Sequence, residues 1–496
     1  MVTAIDPFIE IKDLTWTYQG TSEPVLDRVD FRVSKGECVV LTGPSGCGKT
    51  TLTYALNGLI PHFYEGEMYG SVRIGDRDSA AVRPHELARC VGSVFQDPRS
   101  QFFTTSTTDE VAFGCENLAL PTPEINRRID HAFSVLNARD LRDRSIFELS
   151  SGQKQKIAIA SVLAMQPAVL VLDEPSANLD NECARMLADV LTTLKARGHT
   201  IIVAEHRLHY LMASADRVVF MEKGRIIEDL PTEKACALDY HQARKRRLRL
   251  PDLAKVPFGI KTGGSSEAPP VVGTGLRASY RKRTVLAGLS FESKEPGIVI
   301  GIVGHNGAGK TTLLRVLSGL KKEDSGTVAF ADTPLSPQGR IDASAFVMQD
   351  ADYQLFTESV SAELRFARSS SPELEERIEQ TLDALGLAEK AETHPMTLSG
   401  GQKQRLTIAC ALTSGAKVVF FDEPTSGLDG GTMRAVAALI RDMASKGRRV
   451  FVVTHDFEFI AEACDRVLCI AEGKVRASYA VDESARSRLR EDLQIS

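Results

Sequence analysis

Apolar residues in this chain gather into short unbroken runs and do not alternate with polar ones. Cys38-Val39-Val40-Leu41, Val169-Leu170-Val171-Leu172, Ile201-Ile202-Val203, Ile298 to Val303, Val418-Val419-Phe420-Phe421 and Val450-Phe451-Val452-Val453 are such runs. Segments this short and continuously apolar read as parallel strands buried on both faces. Helix-like spacing follows two of them, over Thr51 to Leu56 and Thr312 to Leu317. Strands alternating with helices predict an α/β architecture with a mainly parallel sheet. No run approaches the ~20 residues that span a bilayer, so membrane work would need a partner to supply the membrane part.

The pattern occurs twice, and each copy carries the same polar punctuation. The first copy reads Gly43-Pro44-Ser45-Gly46-Cys47-Gly48-Lys49-Thr50, then Leu149-Ser150-Ser151-Gly152-Gln153, Asp173-Glu174 and His206. The second reads Gly304-His305-Asn306-Gly307-Ala308-Gly309-Lys310-Thr311, then Leu398-Ser399-Gly400-Gly401-Gln402, Asp422-Glu423 and His455. Ser150 to Glu174 and Ser399 to Glu423 are both 24 residues, and Glu174 to His206 and Glu423 to His455 are both 32. The copies differ in length between lysine and signature, where the first carries extra residues such as Pro61-His62-Phe63-Tyr64-Glu65-Gly66.

Each Gly-rich loop matches GxxxxGK[ST] between a strand and a helix. Glycines let backbone N–H groups wrap phosphates, and the helix N-terminus favours anions. Lys49 and Lys310 are expected on the β/γ-phosphates, and Thr50 and Thr311 on Mg²⁺. Asp173 and Asp422 end apolar strands, where a carboxylate holds the metal. Glu174 and Glu423 follow directly, placed to orient or polarise an attacking water. An Asp-Glu pair alone is ordinarily a solvated turn. After an apolar strand, with Pro175 or Pro424 behind it, the functional reading prevails.

At 496 residues the chain exceeds one ordinary core, so two or more domains are expected. The boundaries read as 1–235 for the first domain, 236–270 for a linker and 271–496 for the second domain. Lys261 to Pro270, rich in Gly, Ser and Pro, gives the linker its texture. The basic run Arg244-Lys245-Arg246-Arg247-Leu248-Arg249 reads as a solvated helix face, with anionic headgroups as the sharper alternative. A net charge of −5 gives no whole-chain signal for nucleic acid. The nine cysteines form no CxxC pair and read as reduced thiols of a cytosolic protein. The first residues lack a basic region followed by an apolar core, so no signal peptide is expected.

On these residues the chain resembles the ATP-binding cassette (ABC) ATPases across both halves. The signature, Leu149 to Gln153 and Leu398 to Gln402, is the specific element, because ordinary P-loop enzymes lack it. The resemblance implies two tandem P-loop domains, each with a mainly parallel sheet core and a helical signature subdomain, using ATP and Mg²⁺. It also implies head-to-tail pairing of the halves. Site one would join Lys49, Thr50, Gln96, Asp173, Glu174 and His206 with Ser399, Gly400, Gly401 and Gln402. Site two would join Lys310, Thr311, Gln349, Asp422, Glu423 and His455 with Ser150, Ser151, Gly152 and Gln153. Gln96 and Gln349, the Q-loop glutamines, would also face the metal, and His206 and His455 the γ-phosphate. Thr51 and Thr312 complete the two phosphate loops. Asp180 and Asp429 match the D-loop aspartate that bridges the sites. Tyr18 and Tyr280, 25 and 24 residues before their loops, resemble the aromatic that stacks on adenine. The bland reading of Tyr18 is a strand aromatic in a core, beside Trp16.

The segment after each Q-loop narrows the resemblance. A second glutamine, Gln101 or Gln354, lies five residues on and is followed by an aromatic. Gln96-Asp97-Pro98-Arg99-Ser100-Gln101-Phe102-Phe103 and Gln349-Asp350-Ala351-Asp352-Tyr353-Gln354-Leu355-Phe356 are similar to the energy-coupling factor (ECF) importers. Asn57 to His62 and Ala204 to Leu208 look like their ATPases too. In that family the segment forms a short helix in a groove for a coupling helix of a transmembrane T component, and a membrane S component captures a vitamin or metal. Asp97, Gln101, Phe102, Asp350, Asp352, Gln354 and Phe356 are the expected coupling residues. The chain would then sit peripherally on the cytoplasmic face of the membrane. A tandem sugar-importer ATPase and a soluble ribosome-associated tandem ABC factor are the rival readings. Ser151, where the consensus has glycine, and Asn178, opposite Gly427, mark asymmetry; the expectation is two competent sites with site two slower.

Overall fold

The continuous apolar runs lie where their burial pattern predicts, in the middle of two separate sheets. The computed structural model describes residues 7–177, 179–259, 268–281, 283–366 and 371–495. The chain divides into two units, Met1–Lys255 and Val256–Ser496. Among the described residues of the first, a six-stranded sheet has the order Arg225–Pro231, Arg217–Glu222, Cys38–Thr42, Thr200–Ala204, Val169–Asp173, Val91–Val94. All neighbours are parallel except the outer pair, Arg225–Pro231 with Arg217–Glu222. The three central strands are buried at every position, which is why their sequences show no alternation. Ala204 pairs with both Leu41 and Asp173, so these strands end level. Level ends bring the Gly-rich loop, the Asp-Glu pair and the histidine to one edge of the sheet, the usual ligand edge of such sheets.

A second, antiparallel sheet was not expected from the sequence. It runs Leu26–Val33, Ile9–Tyr18, Gly66–Ile74, Arg77–Asp78. Its apolar face, with Leu14, Trp16 and Val72, packs with Leu52 and Leu56 of the helix Lys49–Leu56 in one core. The helical part is built by Thr107–Asn117, Thr122–Val135 and Ser151–Ala164. Ile125, Ile129, Ala132 and Phe133 put one stripe of Thr122–Val135 into the apolar cluster that continues under the sheet.

The second unit repeats the plan. Its six-stranded sheet runs Ser344–Val347, Val418–Asp422, Arg449–Val453, Val299–Val303, Arg466–Ala471, Lys474–Ala480, beside an antiparallel sheet of Arg283–Ser293, Val271–Tyr280, Ser325–Phe330 and Thr333–Pro334. One apolar cluster packs around this sheet and another fills the helical part.

The junction differs from expectation. Residues 236–255 belong to the first unit. Leu238 and Leu248 join its core, and the helix Tyr240–Lys245 is closed by a capping box of Asp239 and Gln242. Lys255 Nζ donates to the Cys236 carbonyl at 2.7 Å. The basic run is not a free patch: Arg246 forks onto Glu228 at 2.9 and 3.2 Å, and Arg249 is buried. Arg244, Lys245 and Arg247 are exposed. Most of the Gly/Ser/Pro stretch, 260–267, lies outside the described residues. Its downstream end, Ala268 and Pro269, is fastened by the buried Arg449, whose guanidinium donates to both carbonyls and to Ser293 Oγ. All nine cysteines are free thiols. Among the described residues no helix is long and apolar enough to cross a membrane.

Candidate functional site

Each Gly-rich loop turns because its glycines allow it. Gly43 has φ 150° and Gly304 φ 143°. A Cβ at either would lie 2.1 Å from a carbonyl oxygen, of Met221 or Ile470, so no other residue fits. Lys49 is folded back over its loop, donating to the Gly43 carbonyl at 3.1 Å and the Pro44 carbonyl at 3.2 Å. Lys310 donates to Gly304 at 2.7 Å and His305 at 3.1 Å. Both lysines are buried, so their charge is held out of bulk water.

Thr50 Oγ1 donates to Asp173 Oδ1 at 3.2 Å, and Thr311 Oγ1 to Asp422 Oδ1 at 3.0 Å. A hydroxyl and a carboxylate side by side form a hard-oxygen donor set that suits Mg²⁺. Burial, with the Glu174 charge beside it, lifts the Asp173 carboxyl to about 7. Burial raises Asp422 as well. A carboxylate this costly to ionise alone fits a place meant for a cation.

Glu174 and Glu423 adopt left-handed backbone, φ 43° and 51°. Such angles are rare for non-glycine residues and cluster at functional sites. Each amide continues the strand pairing, Glu174 N–H to the Ala204 carbonyl at 2.8 Å and Glu423 N–H to Val453 at 2.9 Å. The carboxylates then meet the histidines: Glu174 Oε1 is 3.2 Å from His206 Nε2, and Glu423 Oε1 is 3.5 Å from His455 Nε2. Burial pushes the Glu423 carboxyl well above its usual range. Gln96 Nε2 donates to Glu174 Oε2 at 2.7 Å. Among the described residues Gln349 makes no matching bond to Glu423.

The signature serines start helices. Ser150 accepts from Gln153 N–H at 3.3 Å while Gln153 Oε1 accepts from Ser150 N–H at 3.0 Å; Ser399 and Gln402 do the same at 3.4 and 2.9 Å. A hydroxyl used there as acceptor keeps its O–H free to donate. Gly152 is a packing glycine, because a Cβ would lie 2.4 Å from Cys183 Sγ. Gly400 is different: a Cβ there meets nothing within 4 Å. Ser151, at the same place in the first unit, is accordingly exposed. Asn178 lies outside the described residues. Asp180 and Asp429 are buried and cap helices in their own units, accepting from Cys183 N–H and Thr432 N–H at 2.8 Å each.

The two candidate adenine platforms are unlike. Tyr18 is anchored, its hydroxyl 3.2 Å from Thr51 Oγ1 and its ring edge-on to Trp16 and Tyr64. Tyr280 is partly exposed, with Lys321 Nζ 4.2 Å over its ring.

The segment after each Q-loop is held by a residue that sequence reasoning passed over. Glu110 is buried and accepts from Phe103 N–H, Thr104 N–H and Thr104 Oγ1 at 3.0, 2.9 and 3.0 Å. Glu363 is buried and accepts from Phe356 N–H, Thr357 N–H and Thr357 Oγ1 at 3.1, 3.0 and 2.8 Å. Gln101 and Gln354 turn inward as backbone clips: Gln101 bonds Phe95 N–H and the Ser93 carbonyl, and Gln354 bonds Met348 N–H and the Phe346 carbonyl. Asp97 and Asp350 cap the short helices Pro98–Gln101 and Ala351–Tyr353. Asp352 pairs with Lys403 at 2.7 Å. Phe102 packs against the core, and its neighbour Phe103 is 72% exposed and stacked on Phe113. Its counterpart Phe356 is 64% exposed, edge-on to Phe366. Glu205 was also missed. It is buried and takes five hydrogen bonds, from Ser176 N–H and Oγ, His206 N–H, Arg207 N–H and Tyr210 OH.

Two phosphate loops, each with lysine, threonine-aspartate pair, glutamate and histidine at one sheet edge, define a tandem P-loop ATPase. Residues 26–177 and 286–426 match the family model for ABC transporter, and the chain belongs to that family. As in other ABC ATPases, it binds ATP with Mg²⁺ and hydrolyses the nucleotide. The chain is 43% identical over 476 residues to a Treponema denticola protein named for ABC transporter ATP binding, covering 94% of this chain and 96% of that one. It is 32% identical over 495 residues to a Bacillus subtilis protein named for HMP/thiamine import, YkoD, covering 94% and 90%. In fold it resembles ABCE1 in a model of ribosome-bound archaeal Pelota and ABCE1, with TM-score 0.68 and 23% identity over 97% of this chain and 80% of that chain.

Proposed function

We propose that the chain is the ATPase subunit of an ECF-type importer of a vitamin, vitamin precursor or metal ion, working with a transmembrane T component and a substrate-binding S component. The observation that carries this is the repeated device after the Q-loop. In both units a buried glutamate ties down a short segment and leaves aromatics standing in solvent, Phe103 in the first and Tyr353 and Phe356 in the second. An apolar ring on a rigid base suits the apolar face of a partner helix. Kinship with a protein named for HMP/thiamine import favours a vitamin precursor as cargo. The chain would then act at the cytoplasmic face of the membrane.

The chemistry follows from the residues. Lys49 and Lys310, leaving their own loop carbonyls, neutralise the phosphates. Thr50 with Asp173, and Thr311 with Asp422, would hold Mg²⁺, which when bound balances charge between the β- and γ-phosphates. Glu174 and Glu423 orient the attacking water and take its proton, and His206 and His455 steady that carboxylate and meet the γ-phosphate. We propose further that the halves pair head to tail, so that each signature completes the other half's site. The empty surroundings of a Cβ at Gly400 support this, since nothing in its own unit asks for glycine there.

The ribosome-associated reading rests on likeness of fold alone. Affinity purification of the full chain from solubilised membranes separates the two. Co-purifying membrane components, lost in a Phe103→Ala/Phe356→Ala double variant that still hydrolyses ATP, are the expected result. Co-purifying ribosomes, or membrane components retained by the double variant, would sink the proposal.

A further inference from the structure

Two residues beyond the last signature glutamine, each unit carries a second glutamine, Gln155 and Gln404. Neither has a role in the chemistry above. Gln155 is 3% exposed and Gln404 7%. The amide nitrogen of each is buried without a hydrogen-bond partner. A donor left in this condition costs stability that an apolar residue of the same shape would not. The same cost at the same place in both copies points away from accident and toward use.

The surroundings say what the use is. In the first unit Gln155 lines a small recess open to solvent. Gln96, Asp97 and Arg99 of the Q-loop form one wall, Ser151 at the signature start another, and Pro175, next to Glu174, a third. Three parts of the ATPase machinery therefore meet at the recess that Gln155 lines. The Q-loop glutamines themselves do not supply the missing acceptor. Gln96 is docked on Glu174 and Gln349 is not docked on Glu423, yet the amide is unpartnered in both units. A backbone carbonyl of the neighbouring loop is the kind of acceptor such an amide would take if loop and helix closed on each other.

We propose that Gln155 and Gln404 are positioning residues for hydrolysis: each holds a donor in reserve that captures a Q-loop carbonyl when nucleotide binding draws loop and helix together. The bond is absent at rest and made in the hydrolysing state, so it favours the second over the first. An interaction realised only there raises kcat and leaves KM nearly alone. The resting chain bears the cost as lowered stability.

This predicts opposite movements of two quantities in one variant. Gln155→Met keeps the volume and removes the donor. In the purified full-length chain its Tm should rise by about 2–4 °C, while kcat for Mg·ATP hydrolysis falls roughly tenfold and KM stays within about twofold. Gln404→Met should do the same, giving an independent reading should one variant fold poorly. A rise in Tm with unchanged kcat would mean the orphan amide is a passive defect. A fall in both would mean the side chain only packs. Either result overturns the proposal. ATP hydrolysis by the chain alone is the readout, so failure here leaves the importer assignment untouched, and the reverse holds too.

Discussion

The two units hold the lysine and threonine of their phosphate loops by matching bonds but support their histidines by different means. In the first, the residue before His206 is Glu205, a buried carboxylate that accepts from His206 N–H at 2.8 Å. Ser176 and Tyr210 close around it. In the second, Thr454 stands in that place, and the carboxylate has moved to the other side of the histidine, as Asp456. Asp456 accepts from Thr425 Oγ1 at 3.0 Å and from Phe459 N–H at 3.1 Å, capping the helix Phe457–Ala463. His455 N–H instead reaches Glu423 Oε2 at 3.3 Å. The groups that touch nucleotide are thus kept, while the scaffold behind them has drifted. Duplication holds the reacting atoms fixed and leaves their supports open to replacement.

The strongest way to break this picture is to remove the reacting carboxylates one at a time. Glu174→Gln and Glu423→Gln should each lower steady-state ATP hydrolysis in the assembled complex by about 10²-fold, the order of a lost general base. Full activity retained by either variant would show that only one unit works. Next in size is the support itself. Glu205→Gln removes a charge that five donors face, and an expected loss of about 2–3 kcal/mol in the first unit should accompany a drop in turnover. Asp456→Asn, which leaves a helix cap partly intact, should cost about 1 kcal/mol or less. Equal losses in chemical denaturation would erase the distinction drawn between the supports.

A third test concerns charge without cation. Asp173 is raised from 3.8 to about 7 by burial and by Glu174, so the folded chain keeps a proton that the unfolded chain releases. Its stability without metal is therefore fullest below about pH 4 and is lost as pH rises toward 7. Mg²⁺ removes that cost. The thermal shift on adding MgCl₂ alone should be larger at pH 8 than at pH 5, and equal shifts would show that Asp173 does not face the ion. The smallest effect belongs to the signature. Ser151→Gly and Gly400→Ser should each change stability by less than about 0.5 kcal/mol, because a Cβ at Gly400 meets nothing within 4 Å and Ser151 is exposed. Any change in turnover then reports what lies across from the signature.

Much of the site was legible because its chemistry is local. A strand end, a Gly-rich turn and a lysine are neighbours in sequence before they are neighbours in space, and Lys49, Thr50, Asp173, Glu174 and His206 meet as their spacing implies. The antiparallel sheets were not legible. Register shifts between Ile11 and Leu14 and between Leu14 and Trp16 break the alternation that marks such a strand. Buried carboxylates were missed for another reason. Glu110, Glu363 and Glu205 look in sequence like ordinary solvated helix or turn charges, and only the loop backbone folded onto them reveals their role. The same blindness misread Gln101 and Gln354, whose amides serve their own chain. Phe102 was chosen over Phe103 because the chain shows adjacent rings without showing which one turns in. The sequence starts the linker at 236, whereas the first compact unit runs to Lys255, because a basic run resembles solvated chain until Leu238 and Leu248 are seen in a core.

The glutamate clamps have one more consequence. Phe103, Thr104, Phe356 and Thr357 lie in surface loops outside any helix or strand, yet their amide protons are spoken for by Glu110 and Glu363. Such protons exchange with solvent only when the clamp opens, so their isotope lifetimes measure that opening and nothing larger. The protein thereby carries two natural clocks, one per unit, set at the very loops where a partner's grip would first slow them.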